Sequence, residues 1–314
     1  MQKKVWITSL GNKMAADPDS GIKELFNLAG KYGLAPEGHF WVDDLKKMAW
    51  QMPLNSLLKK ETGVWVIHAP AGTMESLSVR YGLSLLSLCV QNAKGVGFPI
   101  IMVMDKDAPA TGENDTKKHG TGEDDTQKHG TGDDDTKKHG AGDDDTKKHG
   151  AGENATKPGI QELPTALKGA EIIPMGEKTL GAKLAARANT PVKNIPMEYR
   201  MDIHANPGYG IWFELGPQGA DIWDGVLAGG LESDVNAHGI GPAGSLPLKT
   251  VLEYQMQGLK LQFNDNTFSA WAVKNRIDKN SSYYVRFKDN PGALVFGPLP
   301  GDGEEGLFHH LQLC

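Results

Sequence analysis

The stretch "ELPTALKGAEIIPMGEKTLGAKLAARANT", residues 162–190, decides how the chain is organised. It reads as a short helix, a strand and an amphipathic helix. Directly before it, a ten-residue unit recurs almost unchanged, with copies beginning at Thr111, Thr121, Thr131 and Ala141 and a decayed fifth at Ala151. If that array were a linker, residues 162–190 would belong to whatever follows. The segment before the array alternates strands and helices but is one strand and one helix short of a complete layered domain. Residues 162–190 supply both, so the array is expected as an insertion (107–160) in a loop of one α/β domain spanning 1–192, where long insertions are tolerated.

The elements before the array carry the same message. "KVWITSL" (4–10) is a strand of β-branched and aromatic residues. "DSGIKELFNLAGKYGL" (19–34) is a helix with Ile22, Leu25, Phe26 and Leu28 on one face and Asp19 or Ser20 as its N-cap. "HFWV" (39–42) is a short strand, and "DDLKKMAWQMPLNSLLKKE" (43–61) a helix that Pro53 breaks or kinks. "GVWVIHAP" (63–70) and "FPIIMVMD" (98–105) are apolar throughout, and "ESLSVRYGLSLLSLCVQNAKG" (75–95) is a buried helix between them. Such strands, separated by helices, imply a parallel sheet covered on both faces.

The repeating unit contains no large apolar residue and alternates acidic and basic blocks. It cannot bury enough surface to offset the entropy of ordering, so disorder is its expected state. Weak metal binding by its aspartates and by His119, His129, His139 and His149 is the alternative. A lysine beside each carboxylate cluster works against it.

From about residue 193 to 314 the rhythm changes to short aromatic or β-branched runs separated by turn residues. "EYRMDIHA", "YGIWFEL", "TVLEYQM", "LKLQFND", "FSAWAVKN", "SYYVRFK" and "ALVFGPL" point to an antiparallel sandwich of jelly-roll or immunoglobulin-like type. The glycine-rich section 216–248 is either a large loop or a set of poorly legible strands. Trp212, Trp223 and Trp271 read as core, and His309 and His310 as exposed. Asp202, His204 and His238 are the residues that could converge on a metal, although nothing in their spacing fixes a geometry; the expectation is no metal.

Bulk properties narrow the function classes. A net charge of −6 argues against a nucleic-acid binder. No apolar run approaches the roughly 20 residues of a bilayer span. The two cysteines, Cys89 and Cys314, suit a reducing compartment rather than a disulfide framework. The expectation is a soluble cytoplasmic protein with neither nucleic-acid nor membrane partners.

In order and spacing, "KVWITS", "VWVIHAP" with "SLSVRYGLSLL", "PIIMVM" and "LPTALKGAEII" resemble a bacterial TIR domain over residues 4–105 and 161–190. The resemblance implies a flavodoxin-like sheet and self-association or docking to another TIR-like protein. In many bacterial members it also implies cleavage of NAD by a glutamate on the helix after the third strand, in a pattern like S-x-W-x-x-x-E-L. Here that stretch is Ser76 to Leu83, with Ser78 at the tryptophan position and Gly82 at the glutamate position. NAD cleavage passes through a cationic ribosyl state that a carboxylate stabilises, and glycine offers none. The expectation is therefore a non-catalytic assembly protein without a cofactor, whose β domain recognises a partner or packs between subunits. The alternative is an NAD-cleaving enzyme of anti-phage defence whose carboxylate comes from Glu75 or from a neighbouring subunit, with Ser9, His68 and Arg80 at the cofactor.

Overall fold

β1 (Lys4–Ser9), β2 (Ala35–Phe40), β3 (Thr62–Ala69), β4 (Ile100–Met104) and β5 (Glu171–Pro174) form one parallel sheet in the order β2-β1-β3-β4-β5. The structure, a computed structural model, describes residues 2–11, 20–105, 163–192, 195–301 and 305–314. The array, Asp19 and the side chain of Ser20 lie outside what is described, and the N-cap expectation lies there with them. The two flanks of the array meet in this sheet: Ile101 is in register with Glu171 and Val103 with Ile173. β3 is buried at every position, as its unbroken apolar run requires.

Alternation along the strands divides two cores. Val5, Ile7, Val64, Val66, Ile101 and Val103 face α1 (Ser20–Lys31) and α4 (Leu180–Asn189). Trp65, Ile67 and Met102 face α3 (Leu77–Lys94), in which every residue from Val79 to Val90 is buried. The expected helix over 43–61 is reduced to a 3₁₀ turn at Ala49–Gln51 and a single-turn α2 (Leu54–Leu57). Met48 adopts a left-handed backbone (φ 54) and Pro53 removes a backbone donor, so no continuous helix can form.

The C-terminal region is two antiparallel sheets. β6 (Tyr199–Asn206), β7 (Gly210–Pro217), β9 (Val235–Pro242) and β12 (Ser281–Phe287) run in the order β6-β7-β12-β9. The second sheet is β10-β11-β8-β13-β14, made from β8 (Val226–Leu231), β10 (Met256–Phe263), β11 (Asn266–Val273), β13 (Ala293–Pro298) and β14 (His309–Gln312). Asn264 and Asp265, at φ 47 and 63, make the two-residue hairpin turn between β10 and β11. The section 216–248 contains β8 and β9. In β9, Gly239 and Gly241 leave room for Thr250 and Pro247 of a strap that crosses the sheet, where any Cβ would clash. The expected strand at 250–256 belongs to that strap up to Gln255. His309 and His310 are half-buried in β14 rather than exposed, packed on Tyr199 and Phe296 and on Phe263 and Phe268.

Helix α3 joins the α/β and all-β regions. One apolar cluster runs from Trp65 and Leu85 through Met201 and Phe213 to Val285 and Phe296. Both regions belong to a single compact unit, Met1–Ala108 with Glu162–Cys314. Among the described residues no helix is long and apolar enough to cross a membrane.

Candidate functional site

In the order β2-β1-β3-β4-β5, the connections from β1 and β3 lead to opposite sides of the sheet. Open α/β sheets bind ligands at the carboxyl ends of strands at such a point. Ser9 ends β1 and His68 lies one residue before the end of β3, and the two are in register. Ser9 Oγ lies 3.2 Å from His68 Nδ1, and the Gly11 N–H donates to the same oxygen at 3.2 Å. Beyond them, Asp105 just past β4 brings a carboxylate oxygen to 3.5 Å from His68 Nε2. That separation suits an ion pair but exceeds a hydrogen bond, and His68 Nε2 has no hydrogen-bond partner among the described residues.

Burial lowers the His68 pKa, and the Asp105 charge offsets this only in part. The imidazole is therefore neutral near pH 7. The Asp105 carboxylate facing Nε2 favours the tautomer with the ring proton there, in which the Ser9 hydroxyl donates to Nδ1 and accepts from the Gly11 N–H. The order serine, histidine, carboxylate invites comparison with a hydrolytic triad. Yet Ser9 is 1% exposed, and the first turn of α1 covers the ring: a Cβ on Gly21 would stand 3.0 Å from His68 Nε2. No substrate carbonyl reaches Ser9 in this arrangement.

The structure brings Ser9 and His68 together but disperses the other expected site residues. Glu75 is exposed on the 3₁₀ turn Thr73–Glu75, in the loop that leaves β3 at the same sheet edge. Ser76 caps α3 through the Val79 N–H, and Ser78 donates to Asp43 Oδ2 at 2.6 Å. Arg80 is buried beside Cys314, where burial pushes the thiol up and the Arg80 charge offsets this only in part. Ser84, one turn on, donates to Leu313 O at 2.6 Å. Cys89 is core, its thiol pushed up to about 12 by burial. At Gly82 a Cβ would lie 2.7 Å from Trp41 Cζ2 and 3.4 Å from Leu45 Cδ2. The indole fills the space where a side chain would begin.

A second polar cluster lies in the all-β region. Asp202 on β6 pairs directly with Glu214 on β7, and His204, two residues along, shares their face. His204 Nε2 is 2.6 Å from Glu214 Oε2, while Glu214 Oε1 accepts from the Gly244 N–H at 2.7 Å and the Ser282 hydroxyl at 2.6 Å. Arg200 donates to Ser282 Oγ at 2.8 Å. Burial pushes the Glu214 pKa up, but its bonds to His204, Ser282 and Gly244 outweigh that and bring it below the ordinary carboxylate value. The same hydrogen bond raises His204. His238, grouped with Asp202 and His204 on sequence, lies on the opposite face, bonded to the Tyr283 hydroxyl at 2.9 Å and edge-on to Trp271.

Among the described residues, Asp202, His204 and Glu214 are the group with metal-ligand spacing, their ligand atoms within 4.8 Å of one another. Each Glu214 oxygen already accepts a hydrogen bond from within the fold, and one of these comes from the third member of the group, His204, so the three side chains are partners of one another. The arrangement ties the strap after β9 to the sheet through Gly244. Sequence reasoning missed Glu214, although an acidic residue inside the apolar run "YGIWFEL" is itself a sign of a buried partner.

No family model, curated protein or solved structure matches the chain.

Proposed function

We propose that the protein is a cytoplasmic TIR-like assembly or signalling protein that does not cleave NAD. It self-associates or docks onto another TIR-like protein through its α/β region, and the all-β region serves recognition or subunit packing. The sheet order 2-1-3-4-5, which is that of flavodoxin-like folds, supports this reading alongside the ordered motifs from "KVWITS" to "LPTALKGAEII". The observation that carries it is Gly82. Where an NAD-cleaving relative would place its glutamate, Trp41 leaves no space even for a Cβ. Without that carboxylate the ribosyl cation has no stabilising charge at this position, a loss of several orders of magnitude in rate.

The test is to incubate the full chain with NAD at concentrations where light scattering detects association, and to follow nicotinamide release. We expect a mass above the monomer that rises with protein concentration, and no turnover above the uncatalysed rate. A monomer at every concentration removes the assembly reading. A second reading, NAD cleavage by Glu75, draws support from that residue's exposure on the loop that follows His68. Turnover that Glu75→Gln abolishes would establish it.

A further inference from the structure

We propose that the cleft between the Leu45–Met48 segment and the ends of β7, β9 and β12 binds a small phosphorylated molecule with a flat ring, of about mononucleotide size. The inference is independent of the TIR-like reading, since Ser9, His68 and Asp105 do not line this cleft.

The volume, about 570 Å³, lies within the range of roughly 300 to 1,000 Å³ typical of small-molecule sites. Floor and rim differ in chemistry. Tyr81 of α3, Phe213 of β7 and Phe287 of β12 form an aromatic floor, each no more than 6% exposed. Lys46, Arg286 and Lys288 stand around it with a single acidic residue, Asp289. Such a surface attracts an anion, while the buried aromatic side chains back the cleft and present little of their own faces to it.

Arg286 is the most telling of the three cations. Its Nε donates to Asn236 Oδ1 at 2.9 Å, its Nη1 donates to Tyr209 O at 2.8 Å, and its guanidinium lies 5.1 Å from the Trp212 ring centre. The group is thus already ordered, and two of its five N–H donors are engaged in these bonds. No carboxylate lies within ion-pair distance of it among the described residues. Lys288 reaches Asp234 only at 4.0 Å, and the Lys46 side chain is exposed. A phosphate oxygen pair is the complement of a fixed, unpaired guanidinium. Tyr209, 66% exposed and lining the cleft, offers the aromatic face for a planar ligand. Met48 holds its left-handed backbone in the opposite wall, a strain retained where neighbouring structure enforces it.

Calorimetric titration of the full chain with AMP as probe tests this, with inorganic phosphate and adenosine as separate arms. AMP is expected to bind once per chain at submillimolar concentration. Phosphate alone and adenosine alone should each bind at least about tenfold more weakly, and Arg286→Gln should weaken AMP by roughly tenfold, the usual weight of a charge-assisted hydrogen bond. Lys46→Glu should weaken it as well; because that side chain is exposed, this variant keeps the test decisive should Arg286→Gln disturb the β6–β7 hairpin. Absence of AMP binding at millimolar concentration would overturn the proposal. So would AMP binding no tighter than phosphate, or an affinity that neither variant changes.

Discussion

His68 and His204 each lie beside a carboxylate, yet their surroundings act on them in opposite directions. At the sheet edge, burial prevails: His68 is pushed down, Asp105 stands 3.5 Å away with 44% of its side chain exposed, and Nε2 has no hydrogen-bond partner among the described residues. In the all-β region the hydrogen bond prevails: Glu214, 1% exposed, holds His204 at 2.6 Å and takes two further donors on its other oxygen. A carboxylate removed from water and fully bonded is a structural tie. One left largely in water, facing an unsatisfied ring, is not.

Removing the two carboxylates separates these cases most sharply. Glu214→Ala leaves His204, Ser282 and the Gly244 N–H without their acceptor and is expected to cost about 3–5 kcal/mol in denaturant unfolding. Asp105→Ala removes a solvent-screened partner and should cost less than about 1 kcal/mol. Equal losses would mean that the two clusters do not differ as their burial says.

Much of the parallel sheet was legible because its strands are buried on both faces and read as unbroken apolar runs. Even β5 was readable, since "AEIIP" is a short apolar run followed by an amphipathic helix, and the structure pairs it with β4. β8 and β9 were obscured by glycines, which usually mark turns; here they lie inside strands because neighbours approach too closely for a side chain, as Thr250 and Pro247 do over β9. Ser9 and His68 could be named because each lies at the C-terminal end of a strand. Their pairing depends on β1 and β3 being neighbours, and Asp105 joins them only once β4 is placed beside β3. For Glu214 the apolar run signalled a buried partner, but which groups it meets was illegible for a different reason. Its three partners lie 10, 30 and 68 residues away, and no local pattern encodes that convergence.

Gly82 provides an intermediate effect, and one where two forces can be weighed. In a helix interior Gly→Ala gains about 1 kcal/mol from propensity. Against this, a methyl 2.7 Å from Trp41 Cζ2 overpacks the contact, at about 1–3 kcal/mol. Gly82→Ala is therefore expected to destabilise by about 1 kcal/mol. In a Trp41→Ala background the clash disappears and the same change should become neutral or stabilising, a reversal that a double-mutant cycle measures. If Gly82→Ala stabilises the unaltered chain, the indole does not seal that position, and the case against a carboxylate there weakens.

The smallest effect is the pH dependence that follows from the two histidines. His204 has a raised folded pKa, so its contribution is fully present below about pH 6.5 and fades as pH rises through the folded value. Glu214, lowered in the fold, contributes above about pH 4.5 and loses its effect as pH falls through its folded value. The tie is thus strongest between those limits. His68 has a lowered folded pKa: the unfolded chain takes up the proton more readily, so this site favours folding above about pH 6.5 and loses stability below it. Unfolding of the parent chain, His204→Gln and His68→Gln across this range should show two opposite trends. The stability gap to His204→Gln should widen on acidification, and the gap to His68→Gln should narrow. Each change should be no more than about 1 kcal/mol, because water reaches part of the His204 ring and the Asp105 carboxylate beside His68. Parallel trends in the two gaps would mean that burial, not the hydrogen bond to Glu214, governs His204 as well.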